Sequence, residues 1–249
     1  MTNRAVTTYN QDWELVCLLC VTLPTIENGL ARREILPNGD IGVALTYTIH
    51  PDASWGDGVP VTSTDMIFTW NAGKNEQSGF AALEGYRRIL SIEEIDKKTF
   101  VLHLDRLSYD YNSLNNFYLL PAHIESEPFS EPAEYRYRTL YDTDPPNPAL
   151  YFGPYQIVSI QPGAEVVLQP NPTWFGTPPF FKKIVVRVIE NTSALEANLL
   201  SGAIDYVAGE LGFGIEQDFC SAEVPDGWAL NNNDEDDDCF TNYHDCAGL

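Results

Sequence analysis

The stretch that constrains this chain most runs from Trp55 to Trp70: Trp-Gly-Asp-Gly-Val-Pro-Val-Thr-Ser-Thr-Asp-Met-Ile-Phe-Thr-Trp. Just upstream, Val43, Leu45, Tyr47 and Ile49 alternate with Ala44, Thr46, Thr48 and His50, the period of a half-buried strand. Gly56-Asp57-Gly58 supplies a turn, and Pro60 bounds an extended pair before a helix start. Thr62 is placed to cap that helix by accepting a backbone N–H. Asp65, three residues on, fits a capping-box variant at the positive end of the helix dipole. Met66, Ile67 and Trp70 fall on one helical face. Strand, glycine turn and capped helix follow one another without slack. The unit carries no chemistry of its own.

A chain of 249 residues can bury a substantial core as one large or two small domains. Hydrophobic residues at 44% and aromatics at 12% argue against global disorder. The formal net charge of -22 argues against nucleic acid or an anionic membrane as partner, because phosphate binding needs clustered Lys and Arg. It suits a monomer kept apart by self-repulsion, or a protein that binds cationic ligands. No Lys or Arg follows Arg187. Val16 to Val21, the best apolar run, is far too short for a membrane span, and no apolar secretory segment follows Met1. Taken literally that means cytoplasmic; we read the chain instead as a fragment whose true start is lost.

The five cysteines do not make a disulfide framework. Cys17 and Cys20 form a C-x-x-C pair in an apolar, strand-like run, away from the helix start that a redox pair uses. They are expected as buried, unreactive thiols. Cys239, His244 and Cys246 form the other grouping, without the spacing of a zinc site.

The wording of the Trp55–Trp70 region resembles the family 5 extracellular solute-binding proteins, the oligopeptide- and dipeptide-binding components of ABC importers. In that family a "TFxLR" strand runs into "DGxPVTAxDVxFTW". The matching residues here are Tyr47-Thr48-Ile49, Asp57-Gly58-Val59-Pro60-Val61-Thr62 and Asp65-Met66-Ile67-Phe68-Thr69-Trp70. His50-Pro51 replaces the usual basic residue after the strand, and Cys17 stands where proline is common. Further phrases follow in the family's order. Leu119-Leu120-Pro121-Ala122-His123 resembles "LPKH", Gly153-Pro154-Tyr155 resembles "GTGPY" with Tyr151 and Phe152 in place of its first Gly and Thr, Asn171-Pro172-Thr173-Trp174-Phe175-Gly176 resembles "NPxYWxG", and Gly202-Ala203-Ile204-Asp205 resembles "GEID".

Between these phrases, Tyr9 to Leu19 reads as a polar turn leading into a strand, and Pro24 to Gly42 as a loop. Asn71 to Gly85 reads as a further loop, and Ile89–Ile95 with Thr99–Leu104 as a hairpin. A proline-rich connector spans Glu131 to Pro148. A return strand covers Glu165–Gln169, and a buried strand Ile184–Ile189. A helix over Ser193–Ser201 is expected to start with a Ser193–Glu196 capping box, to bury Leu195 and Leu199 together and to end at Gly202. From Gln217 the character changes, and Asn231 to Asp238 is a low-complexity acidic run, from a truncated or frame-disrupted chain or as a genuine acidic tail.

No G-x-S-x-G, P-loop, H-E-x-x-H or dinucleotide glycine pattern occurs. His50, His103, His123 and His244 stand singly, more in keeping with structural than catalytic roles. Carboxylates are abundant enough to keep a glycosidase-like pair in play. Asn231 to Asn242 lacks the central Gly and final Glu of an EF-hand loop. Tyr109, Tyr111, Asn112 and Asn115 crowd one short irregular stretch, where aromatic faces and amides could hold a peptide backbone or simply pack the domain.

The resemblance implies a mixed α/β fold, lobe I of a two-lobed, type II periplasmic-binding-protein-like architecture with an extra subdomain, its second lobe largely missing. Residues 1–150 are expected as the small subdomain, 151–215 as the main part of lobe I and 216–249 as a disordered acidic tail. It implies a non-enzymatic binder of peptide or another small solute that delivers to the membrane permease of an ABC importer, without cofactor or metal. The complete protein would be periplasmic or lipid-anchored outside the cell. Two other readings stand beside it: a secreted acidic hydrolase using a carboxylate pair, and an inactive fragment exposing apolar surface.

Overall fold

The strand whose alternation dominates the sequence is the central strand of the larger sheet. In a computed structural model that describes residues 1–80 and 83–207, Val43, Leu45, Tyr47 and Ile49 are each at most 2% exposed. The chain begins with an antiparallel ribbon, β1 (Thr7–Tyr9) and β2 (Leu15–Cys17). β3 (Ala31–Ile35) and β4 (Ile41–Thr48) form a hairpin, turned where Leu36 N–H donates to the Asp40 carbonyl and Gly39 takes φ +88°. After α1 (Ser63–Lys74) and the short α2 (Leu83–Arg87), β5 (Ile89–Glu94) and β6 (Thr99–Leu104) complete an antiparallel sheet in the order β3-β4-β6-β5. Leu45, Tyr47, Phe100 and Leu102 on one face join Trp55, Met66 and Phe152 in one hydrophobic core. Full burial of each such side chain is worth about 2 kcal/mol, so the shared core, more than helix propensity, holds α1 in place.

The start of α1 matches the sequence: the N–H of Thr62 donates to Asp65 Oδ2 at 2.8 Å. Its buried face is Met66, Thr69, Ala72 and Gly73, with Ile67 and Trp70 half-buried beside it. The helix continues to Lys74, through residues expected as loop. Gly73 permits this, because the ring of Tyr86 lies where a β-carbon would stand.

Two other expected connectors also contain structure. Pro24 to Gly42 holds β3, an edge strand whose Arg32-Arg33-Glu34 run hides any apolar alternation. The segment from Glu131 to Pro148 holds α4 (Tyr135–Arg138) and α5 (Leu140–Thr143), after α3 (Ala122–Glu125). Glu125, fully buried, organises them, since its carboxylate accepts the Tyr135 hydroxyl at 2.6 Å and the Leu140 N–H at 2.8 Å.

Cys17 and Cys20, expected as free thiols, are joined in a disulfide with Cα atoms 5.1 Å apart. The chain turns through Leu18 and Leu19, whose N–H groups both donate to the Val6 carbonyl, and that turn brings the cysteines within bonding reach.

A second sheet, in the order β7-β8-β9, consists of β7 (Tyr155–Gln161), β8 (Glu165–Pro170) and β9 (Ile184–Arg187). Gly163, at φ +73°, turns the β7–β8 hairpin. Gly153 N–H donates to the Thr2 carbonyl, and the Asn3 amide donates to the Leu150 carbonyl, so the chain start packs against the approach to β7. β9, expected to be buried, is not: it lies at the sheet edge with Val185 37% and Val186 44% exposed. Phe180, just before it, is 90% exposed.

Backbone contacts divide the chain into Met1–Val186 and Arg187–Leu249. In the second unit α6 (Thr192–Leu200) buries Leu195 and Leu199 against Ile189, Ile204 and Val207, and Gly202 follows at φ +68°. The cap is Asn191, not the expected Ser193: Asn191 Oδ1 accepts the Ala194 N–H at 2.7 Å. Three cap-competent residues stand in a row there, and the earliest takes the position. The acidic segment of residues 216–249, with Cys239, His244 and Cys246, lies outside the described residues.

Candidate functional site

The Trp55–Trp70 unit acts as a bracket for the segment around Pro121. Trp55 is fully buried and packs edge-on against Phe152. In the glycine turn, Asp57 accepts the Val59 N–H at 3.0 Å and its other oxygen lies 3.0 Å from His123 Nε2. Asp65 Oδ1 accepts the Ala122 N–H at 2.9 Å. Burial pushes the Asp65 carboxyl above the usual range, opposed by the hydrogen bonds from Thr62 and Ala122, by the nearby Trp55 indole and by His123. Lys98 caps the turn after β4, donating to the carbonyls of Ala53 at 3.0 Å and His50 at 3.3 Å. Desolvation lowers its ammonium, with Asp65 and Asp52 opposing.

That bracket fixes one end of the Tyr- and Asn-rich stretch, and β6 fixes the other. Between them its backbone is tied down at several points. Asn112 is held twice: its carbonyl accepts the Tyr47 hydroxyl at 2.7 Å, and its amide donates to the Pro24 carbonyl at 2.8 Å. Burial drives the Tyr47 hydroxyl far above the ordinary tyrosine value, with Tyr111 adding to it, so it keeps the proton it donates to Asn112. Tyr111 packs partly against the core, and its hydroxyl accepts the Ile26 N–H at 3.4 Å. Leu114 N–H donates to Thr7 Oγ1 at 2.8 Å, and Ala5 bridges to Tyr118. At the stretch's start, Ser108 donates to Asp110 at 2.7 Å and accepts from Arg88 at 2.8 Å. The Ser108 hydrogen bond, with Arg88 and Arg106 nearby, holds the Asp110 carboxyl below the usual range.

The named residues therefore divide. Tyr111 and Asn112 sit together, bound to the Pro24–Ile26 segment. Tyr109 is fully exposed. Asn115 is half-buried, and among the described residues nothing hydrogen-bonds to its side chain. Tyr118, outside the expected set, is 52% exposed at the far end. Its signal lies in the same run of Tyr and Asn residues.

Other charged groups are engaged with one another. His103 lies between Glu34, 2.9 Å from Nδ1, and Glu93, 3.7 Å from Nε2, across three strands. An open groove of about 790 Å³ at the β3–β4 turn is lined by Leu36, Ile41, Leu90, Asp40, Asp105 and Arg106. Asp105 there faces Arg88 at 3.6 Å and Arg106 at 3.9 Å, so it is engaged in ion pairs. Among the described residues no group of three or more His, Cys, Asp or Glu side chains could hold a metal ion.

The stretch thus presents Tyr109 and the Asn115 amide on a backbone anchored at Asn112 and Leu114. The chain is 29% identical over 216 residues to an uncharacterized lipoprotein of Mycobacterium leprae, covering 77% of this chain and 38% of that protein. It is 30% identical over 187 residues to a protein of Brucella ovis named as a putative ABC transporter peptide-binding protein, covering 74% and 33%. The fold is similar to the oligopeptide-binding protein of Thermus thermophilus, solved with a pentapeptide. That match has 26% identity and TM-score 0.70, and covers 82% of this chain and 38% of that one. The chain thus spans well under half the length of the proteins it matches. The sequence profile described as bacterial extracellular solute-binding proteins, family 5 Middle, matches residues 26–217. With mixed α/β architecture, ordered signature phrases and this profile in agreement, the chain belongs to the family 5 bacterial extracellular solute-binding proteins.

Proposed function

We propose that this chain forms part of a peptide-binding component of an ABC importer, and that Tyr109, Tyr111, Asn112 and Asn115 form or support its solute-contacting wall. The observation that carries the reading is the contrast within one stretch: its backbone is tied to β1, β4 and the Pro24 segment, while Tyr109 and the Asn115 amide are left free. Pre-organised aromatic and amide groups of this kind bind a peptide backbone at small entropic cost. Tyr111 and Asn112 would act by positioning, Tyr109 and Asn115 by contact. The Brucella ovis and Thermus thermophilus relatives support peptide as the solute class.

In the same reading the complete protein is monomeric, works outside the cytoplasm, binds no nucleic acid and hands its solute to a membrane permease. Residues 1–150 serve as the smaller subdomain of its first lobe and 151–215 as the main part. Binding energy there acts on a lobe-closure equilibrium and drives no chemical step.

The test is a thermal-shift screen of the complete polypeptide against di- to hexapeptides, sugars and nickel chelates, followed by calorimetry on the best solute. Tyr109→Ala should leave the melting temperature unchanged, because its side chain packs on nothing, and weaken peptide binding about tenfold, the loss of one aromatic contact. Unchanged affinity in both Tyr109→Ala and Asn115→Ala would remove this stretch from the solute site. Stabilisation by sugars alone would reassign the solute class.

A further inference from the structure

We propose that the Cys17–Cys20 disulfide is a redox latch that fixes the position of the 109–116 stretch. Its influence on solute binding, though not the latch itself, rests on the functional reading above.

The bond lies between a fixed part of the molecule and a part that carries the stretch. On the fixed side, Cys20 bridges Ile49 at the end of the central strand, with His50 N–H donating to the Leu19 carbonyl and Val21 N–H to the Thr48 carbonyl. On the other side, Cys17 pairs with Thr7 across the β1–β2 ribbon. Thr7 is fully buried and its Oγ1 accepts the Leu114 N–H, while Ala5 bridges to Tyr118. The segment just past Cys20 reaches the same stretch, through Pro24 to Asn112 and Ile26 to Tyr111. The Thr7 tie therefore runs through the ladder partner of Cys17, and the Pro24 and Ile26 ties run through the segment that follows Cys20. With the bond open, the Leu18-Leu19 turn loses its covalent closure and has two hydrogen bonds to the Val6 carbonyl in its place.

Two further observations make the bond reversible in chemical terms. Cys17 is half-buried and Cys20 only 7% exposed, so Cys17 is the more accessible of the two residues to an incoming thiolate. Cys20 Sγ lies 3.6 Å from the Val6 carbonyl oxygen. In the disulfide there is no S–H to donate, but the reduced Cys20 thiol has a backbone acceptor already in place. Both redox states thus leave the buried sulfur accommodated. The co-reactant is a dithiol reductant. Its thiolate attacks Cys17 Sγ, the Cys17–Cys20 bond breaks, and Cys20 leaves as a thiolate that takes up a proton. The reductant's second thiol then attacks the mixed disulfide and releases Cys17 as a thiol. Two electrons pass from the dithiol, which becomes a disulfide. The oxidised form suits an oxidising compartment outside the cytoplasm.

The test is hydrogen–deuterium exchange on the full chain, with and without dithiothreitol, and with thiol alkylation and mass spectrometry to count free cysteines. Reduction of Cys17–Cys20 should raise amide exchange across 109–116 about fivefold, with β4 and β6 unchanged. The C17S/C20S double variant should show that faster exchange without reductant and respond no further to it at 109–116. Exchange at 109–116 that is the same in both redox states would overturn the latch, as would protein purified from an oxidising compartment with Cys17 and Cys20 both free. Faster exchange with unchanged peptide affinity upholds the latch and instead counts against the solute role of the stretch.

Discussion

Asp65 Oδ1 accepts the backbone N–H of Ala122 at 2.9 Å, so the first turn of α1 holds a segment fifty-seven residues further along the chain. The same carboxylate accepts the Thr62 N–H through its other oxygen, at 2.8 Å. One side chain, 3% exposed, thus caps a helix and pins the exit of the Tyr- and Asn-rich stretch. The signature phrase and the "LPKH"-like phrase are parts of one bracket, which gives a motif without chemistry a structural role.

Removing the bracket should be costly. Asp65→Ala leaves the buried Ala122 N–H and the half-buried Thr62 N–H without acceptors and should lower stability by about 2–4 kcal/mol. Asp65→Asn retains one carbonyl acceptor and should lose about half as much. Urea unfolding followed by tryptophan fluorescence reports both. A loss under about 0.5 kcal/mol for the alanine variant would mean that the bracket is incidental.

The bracket also has a pH signature. Burial raises the folded-state pKa of Asp65 above the unfolded value near 3.8. For a carboxyl shifted that way, the penalty of burying the charge is present in full above the folded pKa. It is relieved as pH falls through that pKa toward the unfolded value. Wild type should therefore gain stability relative to Asp65→Asn as pH is lowered from about 7 to about 4. Paired urea titrations measure the difference, and a wild type that loses ground over that window would contradict the assignment.

Sequence legibility followed how locally each feature is specified. β4 was readable because every second residue enters the core, and the α1 cap because Thr62 and Asp65 act within one turn. β3 was not, since an edge strand reading Ala-Arg-Arg-Glu-Ile pairs through its backbone and buries only Ala31. The α6 cap was misplaced by two residues because Asn191, Thr192 and Ser193 can each do the job. The Cys17–Cys20 bond depends on a turn set by the Val6 carbonyl, a partner remote from the C-x-x-C spacing itself. In the candidate site, the crowding of Tyr and Asn was visible. That Asn112 is fastened while Tyr109 is free depends on Tyr47 and Pro24, which come from elsewhere in the chain.

The buried Glu125–Tyr135 pair should behave asymmetrically. Burial, then the hydrogen bond to Glu125 and its charge, pushes the Tyr135 hydroxyl far above the usual tyrosine range, which keeps it protonated as the donor. Tyr135→Phe strands a fully buried carboxylate with only the Leu140 N–H, and should cost about 2–3 kcal/mol. Tyr135→Phe combined with Glu125→Gln should cost less than the two single losses added, because the second change removes the stranded charge. Strict additivity in a double-mutant cycle would show that the pair is not coupled.

Trp13 is the non-glycine residue at positive φ, +59°, among the described residues, at the tip of the β1–β2 ribbon. Its indole is 84% exposed and meets Tyr9 at a centroid separation of 6.4 Å, so little packing offsets the left-handed backbone. The turn is held by Asn10, whose Oδ1 accepts the N–H groups of Asp12 and Glu14, each at 2.9 Å. That conformation costs an L-residue about 1–2 kcal/mol, against a smaller entropic cost for glycine. Trp13→Gly should therefore raise stability by about 0.5–1 kcal/mol. Trp13→Ala, which keeps the strain and loses the Tyr9 contact, should be neutral or slightly destabilising. Thermal unfolding of the two variants beside wild type separates them. If alanine stabilises as much as glycine, the gain comes from removing an exposed indole and not from relief of the backbone.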